Sequence, residues 1–356
     1  MILTLSAHEK AEFATLCEAE ACNRRFFEVV ARYLTSFPRL IEPDMVASLI
    51  RECGVREEEA ISAILAATFD LDEDHSDREA RLVRQYLRVC LRRADPAVYR
   101  ADPYYRNVRV PYRRVGNWLL CEQTYAPYEG FVCGHLIKKG DAVIPPLSYF
   151  TEEFSFPSVM QDGVEWMAIK PNEIETMRAP IARARGHVLT AGLGMGYFAY
   201  MAARKEEVKS VTVVERDPTV ISLFETELLP QFASRGKIRV VQADALDYFE
   251  HELPRTHHDY IFADLWRDAS DGLPLYVRLR RIEEEKGLCL DYWIEDMLLS
   301  HIRAMLFAEL EEAYYTGGRD DGIWLGDMAT VRTMLGDPAL RALAPSLDSA
   351  HMLERN

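Results

Sequence analysis

The chain has 356 residues, enough for two or three domains rather than one compact core. Its apolar fraction of 49% and charged fraction of 28% are those of a globular, soluble protein. A formal net charge of −15 repels phosphate backbones and anionic lipid, so nucleic acid and membrane surfaces are not expected as partners.

No run nears the ~20 apolar residues of a membrane span, and MILTLSAHEK lacks the order of a signal peptide. The seven cysteines are scattered without a CxxC pair, so neither a metal site nor a disulfide framework is expected. Reduced, mostly buried thiols of a cytoplasmic protein are the expectation.

Residues 1–100 read as a helical N-terminal domain. Ser6 with Glu9 forms a capping box ahead of the first helix. Asp44 can cap MVASLIREC, which Gly54 stops, and EEEAISAILAATF follows. Ser76 opens DREARLVRQYLRVCLRRA, where Ala80, Leu82, Val83, Tyr86, Leu87 and Cys90 recur at helical spacing. Such a bundle packs on a neighbouring domain or on a second copy of the chain.

Residues 101–165 form a β-rich segment, in which proline, glycine and aromatic residues punctuate short runs such as NVRVPYRRV, NWLLCEQTY and GFVCGHLI. The aromatic crowding is that of a small sheet's core rather than a binding wall.

From 166 to 316 strands and helices alternate: HVLTAGLG, YFAYMAARKE, SVTVVE, TVISLFETELLPQF, KIRVVQAD, ALDYFEHEL, HDYIFADLW. That alternation predicts an α/β fold with a doubly wound, mostly parallel sheet. LPLYVRLRRIEEEKG reads as a helix, LCLDYW as a fifth strand and MLLSHIRAMLFAELEEAYY as a strong helix. Residues 317–356 read as a helical C-terminal tail.

Gly192, Leu193, Gly194, Met195 and Gly196 follow the strand HVLTA, and the next strand ends in Glu215. Open α/β sheets bind ligands at the carboxyl ends of their strands, where a glycine turn admits close approach and an acid takes ribose hydroxyls. A nucleotide-type ligand is therefore expected. A dinucleotide fingerprint would put its third small residue at Tyr197, where a ring crowds helix against strand.

The G-x-G-x-G spacing instead resembles the class I S-adenosylmethionine methyltransferases, over the segment Val188 to Trp266. VERDPTVI resembles their spermidine-synthase-like branch most. The resemblance implies the cofactor S-adenosyl-L-methionine and assigns residues to it. Glu215, with Arg216 beside it, takes the ribose; Asp244 and Ala245 take the adenine; Asp264 lies by the transferred group. An ordinary helix cap is the alternative role for Asp244 and Asp264. Thr190 stands where many of these enzymes carry an acid, leaving open how the amino group of the methionine moiety is held. The run Ala263-Asp264-Leu265-Trp266 lacks the proline-braced turn used on bases and amides; Trp266 could line the acceptor pocket or shield the site.

Asn172 and Glu175 form a capping-box-like start to the helix before the first strand, a place for the cofactor's carboxylate or a plain cap. His257 and His258 read as loop residues rather than bases. The expected function is methyl transfer to a small-molecule or peptide acceptor, with Asp264 as catalytic residue. Aminopropyl transfer and a non-catalytic cofactor- or partner-binding module are the alternatives.

Overall fold

The computed structural model describes residues 2–317, 324–325 and 328–335. The chain divides into two compact units that interleave along the sequence, one of Ala94–Pro127 and Glu152–Glu295, the other of Met1–Arg93, Tyr128–Thr151 and Asp296–Asn356. These differ from the consecutive segments read from the sequence. Segment 101–165 contributes strands to both units, because Leu147–Tyr149 pairs with Leu91–Arg93 and draws 128–151 to the helices.

In the first unit, β1 (Arg113–Val115), β2 (Trp118–Tyr125), β3 (Phe154–Gln161) and β4 (Val164–Ala168) form an antiparallel sheet in the order β4-β3-β2-β1. Aromatic side chains make its core. Trp118 meets Trp166 edge-on at 5.6 Å, and Tyr125 lies 4.7 Å from Phe156. Tyr112 is exposed.

The chain continues through α1 (Pro171–Arg183), β5 (Gly186–Ala191), α2 (Tyr197–Ala203), β6 (Val208–Glu215), α3 (Pro218–Leu223), β7 (Ile238–Gln242), α4 (Ala245–Asp247), β8 (Tyr260–Ala263), α5 (Ala269–Lys286) and β9 (Asp291–Tyr292). The strands pair in the order β7-β6-β5-β8-β9, every pair parallel. Val188, Leu189, Thr190 and Ala191 are all buried, as expected of a central strand covered on both faces. Strand order reverses at β5, and an open parallel sheet takes ligands in the crevice outside the carboxyl ends of its strands at such a point.

In the second unit, the Ser6 hydroxyl accepts the Glu9 N–H at 3.4 Å, and the Glu9 carboxylate accepts the Ser6 N–H at 2.8 Å, capping the helix Ala7–Ser36. Asp44 is not a cap. The helix Pro43–Cys53 starts two residues earlier than expected, where proline has no N–H to leave orphaned, and Asp44 falls in its first turn. Gly54 ends it in a left-handed conformation. After the helix Glu57–Thr68, Ser76 caps a helical path that passes through a π-helical stretch at Leu82–Leu87 and stops at Cys90 rather than running through Leu91–Arg93, because those residues form a strand. Phe26, Tyr33, Ile61, Leu65, Leu82 and Tyr86 pack with Ile144 and Tyr149 into the core.

The cysteines are free thiols, with Cys17, Cys22 and Cys90 buried. Among the described residues no helix is long and apolar enough to cross a membrane. Most of the tail expected from 317 lies outside the described residues; Met328–Leu335 is helical.

Candidate functional site

The turn Gly192-Leu193-Gly194-Met195-Gly196 leaves β5 and enters α2. The Gly192 N–H donates to the Val214 carbonyl at 2.9 Å. Gly192 has φ +97°, and a Cβ there would lie 1.8 Å from the Asp264 carbonyl oxygen. The turn and the end of β8 therefore meet only because residue 192 has no side chain. Gly194 has φ +50°, and a Cβ on it would reach the Met167 side chain at 3.3 Å.

Leu193 and Met195 are buried. The Met195 carbonyl accepts the Tyr104 hydroxyl at 2.7 Å. The Met195 side chain is wholly buried. Tyr197, also buried, donates its hydroxyl to Asp102 at 3.0 Å, and Asp102 also accepts the Tyr104 N–H at 2.8 Å. Burial raises the Asp102 carboxyl above its ordinary range.

Glu215 ends β6 and ties three backbone groups together. Its Oε2 accepts the Leu193 N–H at 3.2 Å, and its Oε1 accepts those of Arg216 and Asp217 at 2.8 and 2.9 Å. Two carboxylate oxygens offer about four acceptor positions, so capacity for hydroxyl donors remains. The Arg216 side chain is exposed.

Asp244 caps α4: its Oδ1 accepts the N–H groups of Leu246 and Asp247 at 2.9 and 3.3 Å. Ordinary capping thus occupies one of its oxygens. Ala245, next to it, is buried.

Asp264 follows β8, its N–H donating to the Ala191 carbonyl at 2.9 Å. Its side chain keeps partial exposure but is closely surrounded by protein, and the loss of water pushes its carboxyl up to about 7. Trp266 is buried and stacks on Tyr292 at 6.5 Å. Its indole Nε1 and the Thr190 Oγ1 are buried without a hydrogen-bond partner.

The start of α1 differs from the expected capping box at Asn172 and Glu175. Lys170 holds the cap position and Pro171 the first helical one, while Glu175 pairs with Arg178 at 2.8 Å. Asn172, one residue into the helix, is partly buried.

Glu173 was missed by sequence reasoning. Its side chain is buried in the first turn of α1, where burial first and the Asp264 charge second hold its carboxyl well above the ordinary range. Lys170 opposes that shift, but its ammonium pairs with Glu165 at 2.6 Å. The bond from Trp293 Nε1 to Thr176 Oγ1, 2.9 Å, and that from the Trp293 N–H to the Ala263 carbonyl, 3.0 Å, hold this end of α1 beside the end of β8.

His257 is exposed, and burial lowers the pKa of His258. Both precede β8, at the amino end of the sheet and away from the crevice, so neither serves as a base there.

No family model matches the chain, and no curated relative does. Among solved structures, the spermidine synthase of Thermotoga maritima is 14% identical over 43% of this chain and 60% of that one, with a TM-score of 0.30. A Staphylococcus aureus protein assigned as a caffeoyl-CoA O-methyltransferase is 20% identical over 33% of this chain and 51% of that one, at 0.24. A Streptococcus mutans protein assigned as a SAM-dependent methyltransferase is 20% identical over 38% of this chain and 36% of that one, at 0.27. Likeness this partial carries no functional weight; what the site can do is read from its own residues.

Proposed function

We propose that the unit holding the parallel sheet binds S-adenosyl-L-methionine in a doubly wound class I arrangement and transfers its methyl group to a small-molecule or peptide acceptor. One observation carries the reading: the glycine turn after β5 is joined to the acids ending β6 and β8. Leu193 donates its N–H to Glu215, and Gly192 lies against the backbone of Asp264.

The residues suit that cofactor. Gly192, Gly194 and Gly196 leave three of the turn's five residues without a side chain, and Glu215 takes ribose hydroxyls. Asp244 and Ala245 edge the adenine, and Asn172 with Lys170 meets the carboxylate at the start of α1. Buried Thr190 and Trp266 have polar atoms still to be satisfied. When bound, the cofactor supplies an electrophilic methyl group on sulfur. The protein's part is alignment of the acceptor in the crevice, with Asp264, near half-ionised at neutral pH, holding or taking the acceptor's proton.

Aminopropyl transfer is the second reading. Glu173 favours it, since a buried carboxylate on α1 suits a ligand whose arm carries an amine alone. Two assays separate the readings: release of S-adenosylhomocysteine from S-adenosylmethionine, and release of methylthioadenosine from the decarboxylated cofactor with putrescine. Methyl transfer predicts the first product. The second alone would favour aminopropyl transfer, and binding without either product would leave a non-catalytic module.

A further inference from the structure

Glu173 is the strongest unexplained group in the molecule. It is 6% exposed, and its carboxylate has no hydrogen-bond or ion-pair partner among the described residues. A carboxylate removed from water without a partner is costly, and it is relieved either by a proton or by a cation brought to it. Glu173 lies in the first turn of α1, within electrostatic reach of Asp264 and of Tyr197, the residue that follows the glycine turn. On β5, two residues before Gly192, stands Thr190, whose buried hydroxyl has no partner and which carries no charge.

We propose that Glu173 is the cation-binding carboxylate of the crevice and takes the ammonium of the cofactor's amino-acid arm. The proposal rests on the S-adenosylmethionine reading and adds a residue to it. Its position on the helix before β5, rather than on the strand itself, explains how a chain with Thr190 in place of an acid can still pair that ammonium. The incoming ammonium exchanges with the proton that Glu173 and Asp264 retain while no cation is near. Binding therefore releases protons near neutral pH.

Calorimetry with S-adenosylhomocysteine, which has the ammonium, and 5′-methylthioadenosine, which lacks it, tests this on the full chain and on Glu173→Gln. The variant should lose about 10- to 100-fold in affinity for the first, the range of a charge-assisted contact, and less than about 2-fold for the second. Without ligand it should melt no lower than the wild type, because an unpaired buried carboxylate has been removed. Titration of the wild type in buffers of different ionisation enthalpy should show proton release only with S-adenosylhomocysteine. Equal loss for both ligands, no loss for either, or a lowered melting temperature would overturn the assignment of Glu173. Failure of both ligands to bind the wild type would instead remove the cofactor reading on which it stands.

Discussion

The Tyr104 hydroxyl donates to the Met195 carbonyl at 2.7 Å, so the segment ahead of the antiparallel sheet tethers the glycine turn of the parallel one. Burial raises the Tyr104 phenol further above its ordinary range, so it stays a donor at every working pH. Tyr104→Phe keeps the ring and leaves a buried carbonyl unsatisfied, at a cost of about 1–3 kcal/mol. Urea unfolding should show that loss, and S-adenosylmethionine affinity should fall with it. Unchanged stability and affinity would show that the turn holds without the tether.

Glu215→Ala removes the acceptor of three backbone N–H groups as well as the partner expected for ribose. Affinity for S-adenosylmethionine should fall by about 1–3 kcal/mol while the circular dichroism of the fold is retained. Calorimetry decides, and wild-type affinity in the variant would remove Glu215 from the site.

Gly194→Val sets a β-branched side chain at φ +50° and against Met167. Left-handed backbone costs such a residue about 1–2 kcal/mol, too little to unfold a domain of this size. The variant should therefore remain folded by circular dichroism yet show no cofactor binding. Retained binding would place the cofactor elsewhere.

Stability should depend on pH through Asp264. Its carboxyl lies near 7 in the folded protein against about 3.9 in an unfolded chain. Between those values the folded state holds a proton that the unfolded state has released. Stability therefore falls as pH rises from about 4 to about 7 and levels off above. Glu173, shifted in the same direction, adds in the same sense. Asp264→Asn should shrink that fall, melting higher relative to wild type near pH 8 than near pH 4. Parallel melting curves across that range would contradict the shift. If Asp264 takes a proton in turnover, kcat should rise with pH through an apparent value near 7.

The glycine turn, Glu215 and the parallel strands were legible because each is set by local pattern: small residues at fixed spacing, acids at strand ends, alternation of period. The Ser6 and Glu9 box was legible for the same reason. Glu173 was not, since local pattern does not mark it as a buried acid, and the bond that ties its helix to Trp293 joins residues far apart in the chain. Asn172 was read as a cap from its spacing to Glu175, and Pro171 overrode it because its fixed φ starts the helix two residues earlier. Tyr104 and Asp102 lay in a stretch read only for its β content, so their bonds to Met195 and Tyr197 left no local trace.

Under the proposed function this crevice takes S-adenosylmethionine and not a dinucleotide. Tyr197 is the sharpest point of that reading. Where a dinucleotide site needs glycine or alanine, a buried ring is locked by its bond to Asp102. Side-by-side calorimetric titration of the full chain with S-adenosylmethionine and with NAD is the most direct test. The account predicts saturable binding of the first and no heat of binding with the second, whereas binding of NAD alone would contradict it.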